Sequence, residues 1–128
     1  PHVSVAVRND YMVEDQRFAS ARPDVLVFTS DVLTEDLSLF GPITVDLKVS
    51  TSGTDSDFVV KLIDVYPGDH PELGSYQQLV RGEPFRGKYR QSLEKPVAFV
   101  PNQPDRIRFE LPDVAHTFRR GHRLMVHI

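Results

Sequence analysis

Four aspartates crowd one part of the chain: Asp55, Asp57, Asp64 and Asp69. Calcium takes several carboxylate and carbonyl oxygens, and loops between strands can supply them. The surroundings offer a plainer role. Asp55 and Asp57 sit in Thr51-Ser52-Gly53-Thr54-Asp55-Ser56-Asp57, where an aspartate bonds its own backbone and shapes a turn. The five histidines are His2, His70, His116, His122 and His127. Zinc needs ligands that converge at short spacing. His122 and His127 are five apart on one expected strand and so point to opposite faces. His116 and His122 flank the turn Arg119-Arg120-Gly121, which can bring them together. No cysteine or carboxylate stands beside them to complete a metal set, so bonds to loop backbone are their expected role. No cofactor is expected.

Nucleophilic catalysis needs a serine or cysteine beside a base that is itself oriented. There is no cysteine, and Ser20, Ser30, Ser38 and Ser92 lie in polar stretches without a Gly-x-Ser-x-Gly elbow. Paired-histidine metal motifs and glycine-rich phosphate loops are also missing from the sequence. A complete triad within these residues is not expected. Residues 81–90 interleave Arg86, Lys88 and Arg90 with Phe85 and Tyr89, a mixture that can stack nucleobases. Glu83 and Glu94 flank the stretch, and 18 acidic residues outweigh 15 basic ones across the chain. An outward strand edge, or a surface that docks on a neighbouring domain, accounts for it better than nucleic acid does.

With 128 residues, 40% of them hydrophobic, the chain can build one domain around one core. No run approaches the roughly 20 apolar residues of a membrane-spanning helix.

The elements that would position these side chains are strands. Ile43, Val45, Leu47 and Val49 alternate with Thr44, Asp46, Lys48 and Ser50, which predicts a half-buried strand. Residues 58–65 are apolar on both faces, which predicts a strand central in its sheet. Tyr66-Pro67-Gly68-Asp69-His70-Pro71 ends it. Residues 25–28, 106–111 and 123–128 read as further strands, and 76–80 and 97–100 as weaker ones. Residues 31–39 can hold one helical turn, capped by Thr34 or Asp36 and stopped by Gly41-Pro42. Many short strands divided by proline and glycine predict an all-β fold, an antiparallel sandwich or jelly roll. The polar first residues, 1–20, read as a lead-in or linker, with the sandwich in 21–128. The final run reads as a strand that no turn signal closes, as expected of part of a longer chain.

Several stretches together resemble one family. They are Leu33-Thr34-Glu35-Asp36-Leu37, Gly41-Pro42-Ile43-Thr44-Val45, and residues 57–67. Tyr76-Gln77-Gln78-Leu79-Val80-Arg81-Gly82-Glu83, Phe85-Arg86-Gly87-Lys88-Tyr89-Arg90, Leu111-Pro112, His116-Thr117-Phe118 and Gly121-His122-Arg123-Leu124 follow in order. This set resembles the C-terminal β-sandwich of serine hydrolases related to X-Pro dipeptidyl-peptidase. Within that group it is most similar to the cocaine esterase and α-amino-acid ester hydrolase (glutaryl acylase-like) branch. The resemblance implies a galactose-binding-like jelly roll attached to an α/β-hydrolase domain whose serine, aspartate and histidine lie upstream. It therefore carries no catalytic residue onto this chain. It also implies further strands beyond Ile128, without which an open edge would leave the domain marginally stable or self-pairing.

The expected work is physical: packing on the catalytic domain, walling part of a substrate cleft, and possible support of a homo-oligomer. Phe85, Tyr89 and Phe118 are the docking candidates, with the core as the competing place for each. A free-standing carbohydrate-binding module is the rival, since jelly rolls host many functions. The lack of tryptophan weighs against it, because sugar sites usually expose flat aromatics.

Overall fold

In a computed structural model, which describes residue 10 and residues 12–128, the chain is built almost wholly from antiparallel strands. A short helix α1 (Arg17–Ser20) precedes β1 (Val27–Thr29), β2 (Leu37–Val49), β3 (Asp57–Val65), β4 (Gln77–Arg86), β5 (Asp105–Phe118) and β6 (Arg123–His127). Four strands form one sheet in the order β1-β6-β3-β4, and β2 and β5 form a second. The two sheets face each other as a sandwich. Val45 of β2, Val60 of β3 and Leu111 of β5 meet between them, with Val126 and Ile128 packed alongside. Phe118, Ile63 and Ile107 are wholly buried, each contributing about 1.5–3 kcal/mol of burial.

The alternating run 43–49 lies inside the longer β2, with Thr44, Asp46 and Lys48 on its wet face. β3 is central, between β6 and β4, as its two apolar faces predict. Proline marks where the ladders break. β2 and β5 run in register from Leu37↔Phe118, then slip between Gly41 and Ile43, where Pro42 lies across from Pro112 and Asp113. Neither proline could donate a ladder bond there, and Gly41 takes φ +93°, a conformation that suits a residue without Cβ. Gly41-Pro42 therefore bends a strand and does not stop a helix.

The helical turn expected over 31–39 does not form. The main chain of Leu33 bonds the β5–β6 turn instead, accepting from Gly121 N–H and donating to His122 C=O, and Asp36 accepts the Arg120 N–H. These long-range bonds outweigh a weak local helical preference. Residues 97–100 form no strand and pair with none among the described residues. They are held by bonds from Val97 N–H to Lys88 C=O and from Phe99 N–H to Thr54 C=O.

The last of the residues read as lead-in are packed. Gln16 and Ala19 are buried. The Gln16 N–H donates to Gln77 C=O at 2.9 Å, and its side chain accepts from Lys61 Nζ at 2.8 Å. Together these fix α1 on the outer face of the four-stranded sheet.

Candidate functional site

A cluster of ionisable side chains lies between the sheets. Along β3, alternation turns Val60, Leu62 and Asp64 toward the opposite sheet. Asp64 is 2% exposed. Its Oδ2 lies 2.8 Å from Nε2 of His116 on β5, and its Oδ1 lies 2.8 Å from Nδ1 of His122, just before β6. A carboxylate only accepts, so His116 donates through Nε2 and His122 through Nδ1. The result is a clasp joining one sheet to the other. Tyr66 closes one side, its ring 4.5 Å from that of His122, and burial followed by the Asp64 charge raises its phenol above the ordinary 10.0. Phe118 packs edge-on against His116 at 4.8 Å.

This corrects the expectation that His116 and His122 bond loop backbone. The turn does bring them together, but onto a carboxylate 52 and 58 positions away in sequence. The signal is an aspartate on the inward face of β3, in line with Val60 and Leu62. Burying such a group requires partners, and histidines are among the side chains able to supply them.

The other aspartates are engaged separately. Asp55 accepts from Ser56 N–H and pairs with Lys88 Nζ at 3.1 Å, which pulls its carboxyl below the ordinary 3.8. Asp57 lies 4.0 Å from Arg86 Nε, and Asp69 is exposed in the turn after β3. Among the described residues, no three histidine, aspartate or glutamate side chains are arranged to hold a metal ion. His2 lies outside the described residues. His70 accepts the Leu73 N–H at 3.0 Å and so shapes a turn.

A serine and a histidine do meet on the outer face. Ser20 Oγ is 3.2 Å from His127 Nε2, but its own proton goes to Gln77 Oε1 at 2.6 Å. The imidazole must then donate to the serine, the reverse of what a general base does. No third group orients the ring, since His127 Nδ1 is buried without a partner among the described residues. Burial, and then the Lys61 ammonium, hold His127 below its ordinary 6.5. This pair supports packing and activates no nucleophile.

The docking candidates separate. Phe118 is fully buried and belongs to the core, which removes it from any surface. Phe85 is half-buried and stacked on Phe109 at 4.4 Å, so it too serves the interior. Tyr89 is half-buried, with Lys88 Nζ 5.9 Å from its ring centre.

In the sequence Arg90 stands out only as part of a basic stretch. Its side chain is 4% exposed. It donates to Asp105 Oδ2 at 2.7 Å and to the carbonyls of Gly87, Val97 and Ala98, with its guanidinium 4.0 Å from the Phe99 ring centre.

Residues 8–128 match the family model for the X-Pro dipeptidyl-peptidase C-terminal non-catalytic domain. The chain belongs to that family. Three relatives give the match its scale. The cocaine esterase of Rhodococcus sp. (strain MB1 Bresler) is 32% identical over 114 residues, covering 89% of this chain and 19% of the esterase. An α-amino acid ester hydrolase structure superposes with TM-score 0.88 at 50% identity, covering 91% of this chain and 19% of the hydrolase. An aminopeptidase from a marine sediment Thaumarchaeota archaeon also superposes with TM-score 0.88, at 44% identity, over 91% of this chain and 20% of the enzyme. This X-Pro dipeptidyl-peptidase C-terminal domain thus spans about a fifth of the length of each relative. The non-catalytic description agrees with a chemistry in which Asp64, His116, His122 and Arg90 all hold the fold.

Proposed function

We propose that this domain is the accessory β-sandwich of a serine hydrolase that cleaves esters or amides through an acyl-enzyme. It packs against an α/β-hydrolase domain of the same chain and helps wall the substrate cleft. One observation carries the reading: nearly the whole chain matches a domain described as non-catalytic, within relatives about five times its length that are named as hydrolases or peptidases. The internal chemistry supports it. Asp64, His116, His122 and Arg90 all serve the fold, and Ser20 faces a histidine that must donate to it.

A fluorophosphonate probe, which reacts covalently with activated serines, tests the proposal on the full-length parent protein. The expected result is stoichiometric inactivation with the labelled peptide lying outside residues 1–128. A label on a serine within these residues, or no labelled serine in an active parent, would overturn it.

A further inference from the structure

We propose that residues 13–20 are a strap that mild acid releases from the sandwich, with the imidazole of His127 as its latch. The strap lies on the outer face of the four-stranded sheet. Its helix α1 has four residues, too few to stay helical without outside contacts. Little apolar burial holds it down. Ala19 is buried, but Phe18 is 55% and Val13 67% exposed. Polar bonds supply most of the attachment. The Gln16 N–H donates to Gln77 C=O, and the Gln16 side chain accepts from Lys61 Nζ. The Tyr76 hydroxyl donates to the Val13 carbonyl. Ser20 Oγ donates to Gln77 Oε1 and accepts from His127 Nε2.

His127 is the member of this set that a proton can turn against it. It is 2% exposed, on β6 between Val27 of β1 and Lys61 of β3. The neutral ring donates through Nε2 and keeps a lone pair on Nδ1. A second proton must go onto Nδ1, a buried atom with no acceptor among the described residues. It would also bring a buried positive charge next to the Lys61 ammonium. The nearby carboxylates give no relief. Asp15 is paired with Arg17 and Asp24 with Arg22, and Asp57 lies by Arg86. Glu14 acts on Lys61, and none of the four makes an ion pair with His127 among the described residues.

The sign of the pH dependence follows from the burial. Docking holds His127 below its ordinary 6.5, by burial first and by Lys61 second. Release of the strap opens the ring to water and restores the ordinary value. The docked form is therefore fully favoured above 6.5 and loses ground as pH falls below it. With a docked ring that stays neutral, the released form gains about ten-fold for the first unit below 6.5. In the accessory-domain reading the catalytic domain precedes this one, so release would slacken the joint between them. The latch itself stands without that reading, and serine labelling tests the reading separately.

Residue-resolved amide hydrogen exchange on the full-length parent, corrected for the intrinsic effect of pH, tests the latch. The Gln16 amide, bonded to Gln77 C=O, reports on the strap. The Phe99 amide, bonded to Thr54 C=O, reports on the rest of the sandwich. Between about pH 7.5 and about pH 5.5, protection of Gln16 is expected to fall on the order of ten-fold while that of Phe99 holds. His127→Gln keeps a side-chain donor but cannot take the second proton, and is expected to abolish the fall. The His127 ring signal, followed by NMR in the unchanged protein, is expected to titrate together with the release of Gln16. Gln16 protection that ignores pH, a fall shared equally by Phe99, or a fall that persists in folded His127→Gln would each overturn the proposal. Should the variant lose Phe99 protection at neutral pH, the ring titration decides alone, and a midpoint apart from the Gln16 release overturns the latch.

Discussion

At the scale of single residues, the domain spends its reactive side chains on cohesion. Asp64 is the clearest case. A carboxylate 2% exposed is costly unless its oxygens are satisfied, and His116 and His122 satisfy one each. Removing it strands two imidazole N–H groups between the sheets. Asp64→Ala is therefore expected to cost about 3 kcal/mol of unfolding free energy. Asp69→Ala, on the exposed turn after β3, is expected to stay within about 0.5 kcal/mol of the unchanged protein. Denaturant titration of both variants decides the matter, and equal midpoints would remove the clasp as a source of stability. Arg90 follows the same logic with opposite charge. Its fork reaches three carbonyls and one carboxylate, a pattern a lysine could not reproduce.

At the scale of elements, local pattern was a good guide wherever a strand had one wet face. Residues 43–49 and 106–111 declared themselves by alternation, and both lie within longer strands, β2 and β5. The doubly apolar run 58–65 declared its central place. Legibility failed where partners are remote. Residues 31–39 looked helical because their bonds to Gly121, His122 and Arg120 leave no mark on local composition. The clasp is illegible for the same reason, Asp64 being more than fifty positions from either histidine. Residues 97–100 looked like a strand but act as a plug, with Phe99 2% exposed under the 3-10 turn Gly87–Tyr89. That plug depends on Gly87. A Cβ there would stand 2.5 Å from Phe99 Cε2 and 2.6 Å from the Ser56 carbonyl oxygen, and neither the ring nor the backbone can give way cheaply. Gly87→Ala is expected to destabilise by about 1–3 kcal/mol through overpacking. Thermal melts compared with Gly53→Ala, whose nearest neighbours would be 3.8 Å away, provide the check. Similar melting temperatures for the two would mean that the Phe99 plug yields easily.

At the scale of the whole molecule, a docking surface must be sought among side chains that the fold has not already used. Phe118 is fully buried, and Phe85 is stacked on Phe109, so neither can serve as a free anchor. Tyr89 remains. It sits at the end of the 3-10 turn, half-buried, with Lys88 Nζ 5.9 Å from its ring centre. A half-buried aromatic still has apolar surface for a partner to cover, and its partly fixed position leaves less entropy to lose on docking. If Tyr89 docks on the catalytic domain, Tyr89→Ala in the full-length parent is expected to lower Tm or raise KM. The active-site titre by serine labelling should stay unchanged, since no reacting group is touched. The size should be that of an interface anchor, about 1–2 kcal/mol, or several-fold to roughly thirty-fold in KM. An unchanged Tm and KM would place the docking surface elsewhere on the sandwich. The most exposed large apolar side chains among the described residues, Leu93 at 86% and Phe40 at 78%, would then be the next positions to substitute.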